Sequence, residues 1–179
     1  MNQRRSAPVF YDIEASGLDG FPIEIGWARA DLASDTILSE GHLIRPPVDW
    51  DVSVTWDASA ATRHRIPLDE LWRTGKPAFE IARRMNDTLH GSELFADSPF
   101  DESWLQQLFD AAGLEPEFVV RRTDAAVLIK ALAGDRAVYA DAKRQALRLA
   151  PPIHRAEADA RHWAVLWAMV ARPTPSQTG

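Results

Sequence analysis

The sequence predicts an α/β protein whose central five-stranded mixed sheet is flanked by helices. Three observations predict it: apolar, β-branched runs crowd the first 44 residues, helical periodicity dominates after residue 58, and two short strand-like runs interrupt those helices. The first strand is read over Ala7–Ile13 (APVFYDI), with a turn at Ser16-Gly17. Phe21–Ala30 (FPIEIGWARA) and Ser34–Ile44 then complete an antiparallel three-stranded meander. Arg45–Asp57, with Pro46, Pro47, Trp50 and Trp56 and no clean period, reads as a loop. Helical patterning starts near Ala58, pauses around Pro67 and resumes over Pro77–Leu89, where Phe79, Ile81, Ala82, Met85 and Leu89 recur at helical spacing. Glu93–Ala96 is the fourth strand, and Ser98-Pro99 opens a helix that runs to about Ala112 before Gly113. Phe118–Arg121 is a fifth, weaker strand, followed by helices over Asp124–Leu132 and Asp135–Leu149, a break at Pro151-Pro152, and a last helix from about Arg155 to Ala171.

At 179 residues, 46% hydrophobic and 26% charged, the chain has room for one globular domain, read over 1–172, with 173–179 as a disordered tail. The net charge of −6 argues against a protein that holds nucleic acid by bulk electrostatics; a polyanionic substrate would require bound cations or a local basic rim. Without cysteine there is no disulfide, thiolate metal site or cysteine nucleophile. Met1–Pro8 is followed too soon by Asp12 and Glu14 to be a leader's apolar region, and Trp163–Ala171 is far shorter than the roughly 20 residues that span a bilayer, so no membrane partner and a cytoplasmic location are the default expectations.

Asp12 and Glu14 stand two apart, and the strand period of two puts both on one face. Paired like charges on a buried face call for a cation between them; taken alone, the pair equally fits one solvent-facing strand acid and one turn former. A second acid, Asp101, begins a helix after a strand; by itself it reads as an ordinary first-turn carboxylate favoured by the helix dipole. A third motif, HRAEADA, sets His154 five residues before Asp159. Five residues of continuous helix would separate the two side chains by about 140°, so they converge only if His154 lies in the loop after Pro152 and Asp159 lies inside the helix.

Taken together, YDIEASGLDG followed by PIEIGWA, the Phe100-Asp101 pair at a helix start, and HRAEADA resemble, in order, the three motifs of the DEDDh superfamily of 3′→5′ exonucleases, which includes oligoribonuclease, ribonuclease T and the bacterial polymerase proofreading subunit. The resemblance implies a ribonuclease H-like fold and a two-cation site of magnesium or manganese held by Asp12, Glu14, Asp101 and Asp159. It implies hydrolysis of phosphodiester bonds at the 3′ end of single-stranded DNA or RNA, with release of nucleoside 5′-monophosphates. The sister class carries a tyrosine four residues before its last aspartate; Arg155 stands there, so the histidine class is matched. Hydrolysis builds negative charge on the phosphate, the attacking water and the leaving group, and two cations stabilise both ends of the displacement. Hard oxygen ligands favour magnesium or manganese. Histidine ordinarily titrates near about 6.5, which makes His154 the candidate general base for the attacking water.

The resemblance also assigns the end of the strand to Ala15, Ser16, Gly17 and Leu18, with Ser16 at the terminal hydroxyl and Leu18 against a base, and adds Phe100 and His64. Read from the residues alone, Leu18 belongs to the core. The chain departs from the superfamily in two places: Arg65 replaces a glycine after His64, and Ala96-Asp97 replaces the common His-Asn. Asp97 either adds a carboxylate near the cations or caps the helix, and capping is the favoured reading. Trp27, Trp163 and Trp167 fit core faces; Trp50 and Trp56 are the better base-stacking candidates, with packing the commoner role for both. Arg63, Arg65, Arg83 and Arg84, or Arg121 and Arg122, would supply a basic rim unless they are a solvated face. Two other functions stay open on the sequence: a catalytically weak nucleic-acid-binding or regulatory module with the same fold, and a hydrolase of small phosphodiesters. A homodimer is also open, since many members of the superfamily form one.

Overall fold

The structure, a computed structural model, describes residues 7–172; the predicted tail at 173–179 lies outside the described residues. Strands β1 (Val9–Ala15), β2 (Pro22–Asp31) and β3 (Thr36–Leu43) form the predicted antiparallel meander. Helices α1 (Ala58–His64), α2 (Leu68–Thr74) and α3 (Ala78–Leu89) follow, then β4 (Glu93–Phe95), α4 (Phe100–Ala112), β5 (Val119–Val120), α5 (Ala125–Ala133), α6 (Arg136–Leu149) and α7 (Ala156–Ala171). The sheet order is β3-β2-β1-β4-β5, with β4 parallel to β1 and β5 parallel to β4. The α/β class and the five-stranded mixed sheet are as predicted, with boundaries shifted by a few residues at most. Among the described residues no helix is long and apolar enough to cross a membrane.

Alternation along β1 and β2 decides what each sheet face carries. Val9, Tyr11 and Ile13 join Ile23, Ile25 and Trp27 in a core that takes Ile81 and Met85 from α3 and Leu108 and Phe109 from α4. The opposite parity, Phe10 with Ala28, belongs to a second core with Ile129 of α5 and Ala160, Ala164 and Leu166 of α7. Asp12 and Glu14 share parity with Phe10, so both acids lie on the α7 face of the sheet. Predicted core positions hold with one exception in α3: Phe79 is 48% exposed, one turn from Arg83, whose guanidinium lies 5.8 Å from the centre of its ring. Its neighbours Ala78, Ile81 and Ala82 already fill that side of the helix. Trp50 stacks on Phe21 at 4.8 Å in the Pro-rich loop and is buried, so the packing role holds for it.

α7 lies against the sheet because small residues meet there. Ala156, Ala160 and Ala164 recur every four residues on its buried face, over Gly26 and Ala28 of β2. A Cβ at Gly26 would stand 2.2 Å from the Glu157 backbone nitrogen, and one at Gly41 of β3 would stand 2.7 Å from the Glu157 Cβ. The two glycines are direct partners in the β2–β3 register. A methyl at Gly26 therefore has to lift the first turn of α7 off the sheet. Gly26→Ala is expected to lower the unfolding free energy by about 1–3 kcal/mol in urea titration; wild-type stability in that variant would mean that α7 is not seated on Gly26.

Candidate metal centre

The first turn of α7 is held by β2. Glu24, 5% exposed, takes a fork of hydrogen bonds from Arg155: Nε to both carboxylate oxygens at 3.1 and 3.0 Å and Nη2 to Oε1 at 2.6 Å. Its Oε2 also accepts from the Ala156 backbone N–H at 3.0 Å, so a strand carboxylate caps the helix in place of the missing side-chain cap. The chain before the helix is tied down in turn by Asp159, whose two oxygens accept from the backbone N–H groups of Ile153 at 2.8 Å and His154 at 3.2 Å. His154 adopts φ 57°, a left-handed conformation that histidine enters more readily than bulkier residues. His154 is thus in the loop and Asp159 inside α7, the layout their spacing required, and the imidazole is exposed.

Side-chain ligand atoms fall into two groups, each within 4.8 Å: Glu14 with His154 and Asp159, and Asp12 with Asp97 and Asp101. The structure therefore brings together every predicted acidic residue and His154. It also corrects the reading of Asp97. The residue before α4 is Pro99, with no side-chain cap, and it is Ser98 whose Oγ accepts from the Phe100 N–H at 3.2 Å. Asp97 stands three residues before Phe100, too early to reach the helix N–H groups as a cap, and lies beside Asp12 and Asp101 instead.

Electrostatics at this cluster are unfavourable for bare carboxylates. Burial, then the neighbouring charges of Asp101 and Glu14, push the Asp12 carboxyl well above the usual range. Burial and then Asp159 raise Glu14 to about 7, with Arg63 and Arg155 acting in the opposite direction. Asp101, 1% exposed, is raised to about 8 by burial and then Asp97, against backbone hydrogen bonds from Ser98 and Ile13. Asp101 Oδ2 is buried with no hydrogen-bond partner. An orphaned oxygen on an acid clustered with other carboxylates fits a hard divalent cation, which takes oxygen ligands and removes the repulsion.

The expected substrate contacts divide. Leu18 is 60% exposed and Phe100 is exposed too, packed against Trp104 at 5.9 Å, so the core reading of Leu18 is overturned. The turn Ser16–Gly20 is closed from inside, leaving the Leu18 side chain outside it. Ser16 is fully buried, and its Oγ meets Thr55 Oγ1 at 2.8 Å and accepts from the Phe21 N–H at 3.0 Å. Its backbone N–H and C=O are bonded to Phe21 and Asp57, so Ser16 builds the turn. Ala15 and Gly17 are buried beside it. His64 is 2% exposed; its Nδ1 accepts from the Ile66 N–H at 3.0 Å, Trp56 lies edge-on at 5.7 Å, and Nε2 has no partner. Arg84 and Arg121 are spent on Glu40 and Glu93, which takes them out of the proposed basic rim. Exposed Arg63, whose charge acts on Glu14, stays available at the centre.

The fork from Arg155 to Glu24 escaped sequence reasoning, and for Asp97 the less favoured of the two readings, a place beside the other acids, is the one the geometry matches. Glu24 was legible only as part of a strand motif, although its spacing of two from Gly26 already put it under α7.

Comparison with protein-family models finds no match, and none of the curated proteins matches the sequence. Solved structures do. E. coli Exonuclease I in complex with a dA13 oligonucleotide superposes with a TM-score of 0.65 at 16% identity, over 93% of this chain and 40% of that one. The same enzyme with a dT13 oligonucleotide has a TM-score of 0.65 at 15% identity, over 93% and 41%. Exonuclease X in complex with 5′-overhanging duplex DNA has a TM-score of 0.53 at 23% identity, over 90% of this chain and 89% of that one. The chain thus spans about two fifths of the length of Exonuclease I. At these identities the likeness is one of fold, and the fold is the ribonuclease H-like one that these exonucleases share.

Proposed function

We propose that the chain is a metal-dependent exonuclease of the histidine class, removing nucleoside 5′-monophosphates from the 3′ end of single-stranded DNA or RNA with magnesium or manganese. The observation that carries this reading is the meeting of acids from three distant stretches of sequence, Asp12 and Glu14 of β1, Asp101 of α4 and Asp159 of α7, in two groups no wider than 4.8 Å that include His154. Support also comes from the fold, whose solved examples include complexes with single-stranded and overhanging DNA.

When bound, two cations would stabilise negative charge on the attacking and leaving oxygens of the displacement. The chain does the rest. Asp12, Glu14, Asp101 and Asp159 would hold the cations, and Asp159 also fixes the backbone of His154. From that loop, His154 accepts the proton of the attacking water. The exposed Leu18 and Phe100 side chains offer apolar surfaces to the terminal bases, and Arg63 offers a charge to a phosphate. Arg155, in the place of the sister class's tyrosine, is fully engaged with Glu24 and leaves the proton transfer to His154.

Matched end-labelled DNA and RNA strands, digested with magnesium, manganese or chelator, test the reading. Ladders should shorten from the 3′ end only with metal, and Asp12→Ala should lose more than about a hundredfold in rate. Metal-independent or absent release would favour the weak binding module; cleavage confined to dinucleotides would favour a hydrolase of small phosphodiesters.

The metal-free protein should also respond to pH in an unusual sense. Asp12, Glu14 and Asp101 bind protons more tightly folded than unfolded, so their contribution is full below about pH 4 and is lost as pH rises through the folded values. The depressed His42 and His64 add stability with rising pH only up to the ordinary histidine value near about 6.5. Between pH 6.5 and 8 the acids therefore dominate, at up to about 1.4 kcal/mol per pH unit for each carboxyl still protonated in the folded protein and ionised in the unfolded one. The melting temperature in chelator is expected to fall across that window, and millimolar magnesium to raise it and flatten the slope. A flat or rising metal-free curve would contradict the site's electrostatics.

A further inference from the structure

We propose that Asp97 is a metal ligand, sharing one cation with Asp12 and Asp101, and that this three-carboxylate subsite fills before the one beside Glu14 and Asp159. The inference rests on the metal-dependent reading above and goes beyond it by adding a fifth acid and an order of binding. Sheet geometry places Asp97. β4 runs parallel to β1 with Phe10 opposite Phe95, and two residues further along both chains stand Asp12 and Asp97. Neighbouring strands lie about 4.8 Å apart; Asp97, exposed in the bend just past the end of β4, is carried by that pairing to the neighbourhood of Asp12. Asp101 then enters from the first turn of α4, and one oxygen from each of the three lies within 4.8 Å of the others.

An independent observation marks this as a ligand site. Asp101, a member of this group, has its Oδ2 buried with no hydrogen-bond partner. Among the described residues, none of the three acids is in a salt bridge. Asp97 is not consumed by capping either, since Ser98 and Pro99 occupy that role and position. Three anionic oxygens attract a hard divalent cation more strongly than the two carboxylates of Glu14 and Asp159. The first cation bound would in turn oppose entry of the second, which separates the two affinities further.

Isothermal titration of the chelator-stripped full chain with manganese chloride, without nucleic acid, tests this. Wild type should bind in two steps. Asp97→Asn should weaken the tighter step by at least about tenfold while circular dichroism shows an intact metal-free fold. Asp97→Glu, which keeps the charge but displaces the oxygens by one methylene, should weaken it as well. A tight step at wild-type affinity in Asp97→Asn removes Asp97 from the site, and wild-type affinity in Asp97→Glu reduces its role to charge alone; either result overturns the proposal. Asp12→Asn separates the two levels: if it too binds manganese as wild type does, the metal centre itself fails, whereas loss in Asp12→Asn with none in Asp97→Asn sinks only this inference.

Discussion

The seating of the first turn of α7 on β2 is the constraint on which the rest of the site depends. Gly26 leaves the helix backbone no distance to retreat, with 2.2 Å between an added Cβ and the Glu157 nitrogen, and Glu24 fastens the same turn through Arg155 and the Ala156 N–H. These contacts set the height and rotation of α7 over the sheet. Asp159, one turn along, is thereby brought to Glu14 on the adjacent strand, and its carboxylate holds the His154 loop by two backbone hydrogen bonds. The salt bridge between Arg155 and Glu24 works as an aligning device: the Glu24 carboxylate is buried while the Arg155 side chain is partly exposed, and the fork of hydrogen bonds fixes geometry more than it adds stability.

Position bought at this precision leaves a charge problem, because the same packing gathers Asp12, Glu14, Asp97, Asp101 and Asp159 with little counter-charge. Arg155 is committed to Glu24, and Arg63 acts on Glu14 from an exposed position. Burial raises the proton affinity of the acids, and the fold tolerates this because two hydrophobic cores on either side of the sheet supply stability from elsewhere. Strain concentrated at one place and offset by the surrounding structure is the ordinary signature of a functional site.

Much of the fold was legible because the responsible signals are local. Period-two alternation in β1 and β2, the Ser16–Gly17 turn, Gly113 at the end of α4 in a left-handed conformation, and the Pro151-Pro152 break each act within a few residues. The spacing of His154 and Asp159 even constrained tertiary structure, since one had to be in the loop and the other in the helix. Misread features depended on partners far along the chain. Leu18 looked like core because it is leucine, but the turn is closed by Ser16 bonding Thr55, 39 residues away, and the leucine is left outside. Phe79 fitted the helical period, yet its neighbours had filled the buried side. Asp97 was read by the local logic of helix capping, whereas its place follows from the parallel pairing of β4 with β1, 85 residues apart at Phe10 and Phe95.

The most direct measurement is a crystal structure of the protein grown with manganese, with anomalous differences recorded at the manganese edge. The account predicts manganese peaks among the carboxylates of Asp12, Glu14, Asp101 and Asp159, with α7 still in contact with Gly26. Well-ordered acids with no anomalous peak between them, or an α7 displaced so that Asp159 faces away from Glu14, would contradict it.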